Sequence, residues 1–263
     1  MLSFPRKIPE LLATLLLAGS AMADERWAPH AVAGPVDQLS VAGNACGPAA
    51  LLASLRCGSE KWRGVPERIP GSSDKSKLLY IIRAHGIRPS ASLKGRNRWT
   101  GAGINAEDLA DIAEELAAIG GLPNPKTESI LLQKREKPDK LLRRSHDRLR
   151  DSLKDGFPPV LSLRRYVWRN GAWQALQGHF VTVVMVPEKL ERGASSHEFV
   201  YFDPWGGKKV RGSFRIPPLP VLSTDGKTSS CLEAVVPDAN IGRSKVRSGE
   251  RTVVVPTVIT GRW

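Results

Sequence analysis

The chain has little of several things that would point to common chemistries. It has only three cysteines, Cys46, Cys57 and Cys231, in 263 residues, too few for a disulfide-knitted mini-domain or a paired Cys-x-x-Cys zinc site. The five histidines, His30, His85, His146, His179 and His197, are scattered. None stands in a Cys/His/Asp set at ligand spacing, so no metal is expected, and His146 reads as a solvent-facing member of a charged helix. There is no glycine-rich phosphate loop and no His-Glu-x-x-His run, which sets aside nucleotide hydrolysis and the usual zinc-protease mechanism. No other cofactor is implied. Long apolar runs are absent as well: Leu11 to Ala18 is far shorter than the roughly 20 residues a bilayer requires.

That short run has another meaning. Arg6 and Lys7 precede it and Ala21-Met22-Ala23 follow, the layout of a secretory signal peptide cut between Ala23 and Asp24. The expectation is a signal over residues 1–23, a periplasmic or secreted mature chain without a transmembrane segment, and one catalytic domain over 24–263. A composition of 41% hydrophobic and 25% charged residues suits one buried core. In an oxidising compartment two cysteines can pair while one stays free; the simplest division joins Cys57 to Cys231 and leaves Cys46 as a thiolate.

Charge is in excess on one side, with a formal net charge of +13. Such a balance favours acidic partners, including peptidoglycan and other acidic polymers. The basic residues concentrate between Lys134 and Arg150 and at Lys208, Lys209 and Arg211. They carry no DNA- or RNA-reading motif, so no specific nucleic-acid partner is expected and a solvated basic face is the plainer reading.

Along the chain, helical signals come first. Cys46 to Leu55 is rich in helix formers with Pro48 early, where its missing amide costs nothing. Residues 74–84 and 105–118 read as further helices, the latter capped by Asn105, with Leu109, Ile112 and Leu116 as its apolar stripe. A polar, proline-punctuated connector from Gly120 to about Ser129 is followed by a basic helical segment, roughly Lys137 to Lys154. After Pro158-Pro159 the texture changes to short β-branched and aromatic runs at 160–167, 180–186, 198–202, 209–214 and 252–256, with Asn170-Gly171 as a hairpin turn. The order predicts an α+β fold, N-terminal helices packed against one side of a C-terminal antiparallel sheet.

Three residues could do chemistry together. Cys46 opens a helix, where unpaired amides and the helix dipole stabilise a thiolate, and Gly47 removes bulk where a substrate carbonyl would approach. His179 begins the strand Phe180 to Val186, with Gly178 giving room at its side, and can take and return the thiol proton. Asp203 ends the next apolar run, before Pro204, where a carboxylate can orient an imidazole. Each has a bland alternative: a buried cysteine, a hydrogen-bonded edge histidine, and a common Asp-Pro turn.

Taken together, the blocks Asn44-Ala45-Cys46-Gly47-Pro48-Ala49-Ala50, Gly178-His179-Phe180-Val181-Thr182-Val183 and Phe202-Asp203-Pro204-Trp205-Gly206 resemble the signature blocks of the papain-like cysteine peptidases. The likeness is greatest to the bacteriocin-leader-processing (C39-like) branch, against whose compact pattern the basic region of about 120–156 reads as an insertion. The resemblance implies a papain-like fold, Cys46 as nucleophile, His179 as general base, Asp203 as its orienting acid, and an oxyanion hole using the Cys46 amide. It also implies an upstream glutamine. Gln38 lies somewhat farther from the cysteine than is usual, and an extra loop around Gly43 would return it; Asn44 is the alternative donor, with helix capping as its competing role. The implied activity is thiol hydrolysis of a peptide or protein amide in a narrow cleft. A cell-wall peptide amidase or an acyl-transferring enzyme would use the same groups, and a non-catalytic binding protein would use the basic surface instead. Trp168, Trp173 and Trp205 lie near the catalytic blocks, either lining a groove or packing the core.

Overall fold

The computed structural model describes residues 24–263; the signal peptide expected over 1–23 lies outside the described residues. After the short strand β1 (Glu25–Trp27) and two single 3-10 turns comes α1 (Cys46–Cys57), with Pro48 in its first turn. Leu51, Leu52 and Leu55 of α1 are at most 1% exposed, and each contributes roughly 1.5–3 kcal/mol by leaving water. Next comes α2 (Glu60–Arg68), which buries Trp62 and Val65. The following helix, α3 (Asp74–Ile81), is capped reciprocally by Ser73 and Ser76 and is extended by one π-helical turn, Ile82–Gly86. In α4 (Ala106–Ile119), the Asn105 side chain accepts from the Asp108 amide at 2.7 Å, and Leu109, Ile112 and Leu116 are buried.

The strands are β2 (Lys126–Ser129), then, after helix α5 (Pro138–Lys154), β3 (Val160–Arg169), β4 (Ala172–Pro187), β5 (Ser196–Asp203), β6 (Lys208–Arg215), β7 (Glu233–Val235) and β8 (Thr252–Gly261). They form one sheet in the order β2-β8-β3-β4-β5-β6-β7, with β1 beside the end of β4, and every pairing is antiparallel. Asn170 and Gly171 take φ of 51° and 74°, the paired left-handed conformation of a two-residue hairpin turn between β3 and β4. The architecture is therefore a mixed helical and antiparallel α+β fold.

Alternation along the central strands separates two faces. Leu161, Leu163, Val181 and Val183 pack in one cluster with Leu141, Leu142, Leu149 and Leu153 of α5. Their neighbours turn the other way: Val160 and Phe180 pack with α1 and α4, and Thr182 Oγ1 donates to Ala50 O at 2.6 Å. Helices thus cover both faces of the sheet, not one face as the order of elements suggests.

The basic segment is part of the core, where α5 supplies buried leucines and β2 extends the sheet. Three of its arginines are paired internally. Arg144 bonds Glu128 and Glu136 and the carbonyls of Ser129 and Leu131, Arg148 bonds Glu128, and Arg150 bonds Asp151. His146 does not face solvent: it is fully buried, donates from Nε2 to Pro187 O at 2.8 Å, and stacks edgewise on His197. Cys57 and Cys231 are not paired. Cys57 closes α1 near Gly34, whereas Cys231 packs against Val253 and Val255 in a separate cluster. Burial pushes both thiols up to about 12, which makes them poor nucleophiles near neutrality.

Candidate active site

The first amides of a helix have no partner within it, so the residue that opens a helix sits in a field favouring negative charge. Cys46 holds that place in α1 and is only partly buried. Ala45 precedes it without a side-chain cap. Asn44 does not cap the helix; its Nδ2 donates to Thr100 O at 2.8 Å, and its carbonyl accepts from Trp99 Nε1 at 3.2 Å. These bonds tie the start of α1 to the loop before α4. Gly47 faces that loop, because a Cβ there would lie 2.5 Å from Ile104 Cγ2. Close packing of helix against loop, not substrate clearance, is what demands glycine.

His179 lies where the exposed half of β4 passes into its buried half, opposite Leu163 of β3. Asp203 is the last residue of β5. The two are 2% and 1% exposed, and His179 Nε2 stands 2.7 Å from Asp203 Oδ1. The same oxygen accepts from the Trp205 amide at 2.8 Å. With Nε2 committed, Nδ1 is the ring nitrogen left for the Cys46 thiol, whose pKa this ring lowers. Cys46, His179 and Asp203 thus meet at one site although α1, β4 and β5 are far apart in the chain.

The electrostatics favour charge separation between the thiol and the imidazole. Burial opposes ionisation of Cys46, but the hydrogen bond and charge of His179, with the Phe180 and Gly47 amides, outweigh it and leave the thiol pKa below its ordinary value. Burial likewise works against the imidazolium, yet Asp203 and Cys46 together raise His179 to about 9. Both shifts favour a thiolate beside an imidazolium over the neutral pair. Such a pair can attack an electrophilic carbonyl and return a proton to the leaving group.

The segment carrying Gln38 is fastened to the turn after Asp203. Gln38 N donates to Pro204 O at 2.9 Å, and Asp37 Oδ1 accepts from Gly206 N at 3.1 Å. Gly206 and Gly207 make this turn with φ of 77° and 61°, a left-handed succession that glycine adopts without strain. Gln38 itself is fully buried, and its Nε2 donates to Gly43 O at 2.6 Å while Oε1 has no partner among the described residues. It therefore lies behind Gly43, which reaches the cleft wall. Among the described residues the Cys46 amide donates to no backbone carbonyl outside the helix.

Cys46 and His179 open into a cleft of about 690 Å³. One wall is the loop from Gly101 through Glu107; the other comes from β3 and β4, including Arg164, Tyr166 and Gly178. Trp205 lines it as well, whereas Trp168 and Trp173 stack on each other away from it. Thr257 and Val258 join the lining at a bulge between Ser162 and Leu163, where Thr257 Oγ1 bonds Ser162 Oγ at 2.9 Å. Sequence reasoning passed over the Gly101–Glu107 wall; its signal was the cluster Gly101, Gly103 and the Asn105 cap, which marks a tight loop entering α4. Among the described residues no group of three or more metal-ligating side chains comes together, and no helix is long and apolar enough to cross a membrane. Compared with known proteins, the chain matches no family model and no curated protein.

Proposed function

We propose that the chain is an exported papain-like, C39-like cysteine hydrolase that cleaves a peptide amide bond. The observation that carries this reading is the buried His179–Asp203 pair, 2.7 Å apart, beside Cys46 at the head of α1, with Cys46 and His179 lining one cleft. In the proposed reaction the Cys46 thiolate attacks the amide carbonyl and the C–N bond breaks as the His179 imidazolium protonates the leaving amine. An acyl-thioester remains. Water then attacks it, giving one proton to His179 while the thiolate leaves, and a carboxylic acid departs. Asp203 holds the ring in the tautomer that presents Nδ1 to sulfur.

The oxyanion of each tetrahedral intermediate would receive the Cys46 amide, with Gln38 supplying or positioning a second donor through Gly43. Gln38→Ala is expected to lower kcat/KM by about 100-fold if its amide reaches the oxyanion. Retained activity would take Gln38 out of the mechanism. Export into an oxidising compartment suits a site whose thiol is alone and whose other two thiols are buried.

The basic-surface alternative has less support, since much of the α5 charge is bonded to carboxylates and carbonyls of this chain. Hydrolysis and acyl transfer share every step up to the thioester, so only the acceptor separates them. Incubating the mature protein with a quenched peptide library and with purified peptidoglycan tests the reading. New amine and carboxylate ends produced by the wild type and not by Cys46→Ala are expected; cleavage of neither substrate would remove the proposal.

A further inference from the structure

The proposed chemistry does not use two cations in the cleft wall. Arg164 and Lys245 both line the cavity that holds Cys46 and His179, and both are exposed. Neither has a carboxylate partner among the described residues, whereas the neighbouring Arg169 is bonded to Glu250. Glu107 also lines the cavity, from the opposite wall, and bonds neither of them.

Their placement is built by close packing. Arg164 pairs with Gly178, the residue before His179, and its Nε lies 3.9 Å from where a Gly178 Cβ would stand. Lys245 ends a short 3-10 turn, Arg243–Lys245, that follows Gly242. Gly242 takes φ of 60°, and a Cβ there would come within 3.0 Å of Gln177 Cβ, so glycine is what lets this turn settle on β4. Two other arginines hold its backbone: Arg165 Nε donates to Ile241 O at 2.5 Å and Arg169 donates to Lys245 O at 3.3 Å. The fold thus uses Arg165 and Arg169 as braces and leaves Arg164 and Lys245 facing the cleft. Unpaired cations in a concave wall attract and orient anions.

We propose that Arg164 and Lys245 form an anion subsite that selects substrates carrying a carboxylate close to the bond Cys46 attacks. This inference rests on the hydrolase reading for its meaning, but its test does not. Iodoacetate and iodoacetamide alkylate a thiolate by the same step: sulfur forms a bond to the methylene carbon and iodide leaves with the C–I electron pair. They differ only in carboxylate against amide. The ratio of their rates at Cys46, read by intact mass, reports the cations, while the iodoacetamide rate alone reports the thiolate.

In the Arg164→Gln/Lys245→Gln double variant the ratio is expected to fall by about fivefold, with the iodoacetamide rate held within about twofold. Arg164→Lys should retain most of the wild-type ratio. An unchanged ratio in the double variant overturns the proposal, even if Cys46 is highly reactive. A slow iodoacetamide rate with a cation-dependent ratio would instead count against the hydrolase reading and leave the subsite standing. The carboxylate's source is separated by protection of Cys46 with acetylated Ala-Ala-Glu-Ala amide and acetylated Ala-Ala-Gln-Ala free acid. Protection by the first assigns the subsite to an acidic side chain, by the second to a chain terminus.

Discussion

Asp203→Asn separates the charge of the buried carboxylate from its geometry. Asp203 Oδ1 accepts from both His179 and Trp205 N, and an asparagine Oδ1 in the same place can accept both. What is lost is the negative charge beside a ring held at about 9. An opposite charge in contact typically moves a pKa by roughly 1–3 pH units, and each unit is worth about 1.4 kcal/mol. The variant's imidazolium should therefore titrate roughly 1–3 units lower, between about 6 and 8. The sign for Cys46 follows: a weaker imidazolium stabilises the thiolate less, so the thiol pKa rises towards its ordinary value. Two substrate-free measurements read these changes, an NMR titration of the His179 ring and the pH dependence of alkylation at Cys46. Cys57 and Cys231, both raised to about 12, should leave a single adduct near neutrality. For catalysis, the alkaline limb of kcat/KM, set by loss of the imidazolium proton, should move down by the same amount. Midpoints in Asp203→Asn that coincide with wild type would refute the assignment of that charge to the pair.

Other perturbations test the scaffold. Gly47→Ala places a methyl 2.5 Å from Ile104 Cγ2 and should destabilise the fold by about 1–3 kcal/mol, read as a lower denaturation midpoint. A wild-type midpoint would mean that the loop yields without cost. Because Cys57 and Cys231 are free, adding dithiothreitol should leave Tm unchanged; a non-reduced digest containing a linked pair of these cysteines would contradict the packing described. Arg144→Ala frees the Glu128 and Glu136 carboxylates and the Ser129 and Leu131 carbonyls. It should cost about 1–3 kcal/mol at this partly exposed site, with faster hydrogen exchange along β2, and unaltered exchange there would show that the strand does not depend on it.

What the sequence makes legible is what short-range chemistry controls. The Asn105 cap, the early Pro48 and the Asn170-Gly171 turn each declare a local geometry that the fold adopts. The meeting of Cys46, His179 and Asp203 is a long-range event, suggested by the local placement of each residue and joined into one site by the resemblance of three short blocks. Features set by tertiary packing were hidden. α2 escaped notice because Pro66 interrupts its helix-forming residues, although Trp62, Val65 and Ile69 recur at helical spacing. The charged α5 looked like a solvated decoration because its many arginines mask the buried stripe Leu142, Ser145, His146, Leu149 and Leu153, and their partners lie elsewhere in the chain. Counting cysteines suggested a disulfide, but pairing is a matter of distance and direction, and Cys57 and Cys231 belong to different clusters. Gly47 was assigned to substrate clearance because nothing local reveals that Ile104 packs against it.

The central claim is that His179 holds Cys46 as a thiolate at neutral pH. Intact-mass kinetics of iodoacetamide labelling at pH 7, wild type against His179→Ala, test it most directly. The account predicts one rapid adduct on Cys46 and a rate reduced on the order of 30-fold or more in the variant, since a thiol restored to a pKa of about 8.5 or higher is only a few per cent ionised at that pH. Slow labelling of the wild type that is indifferent to the loss of the imidazole would contradict it.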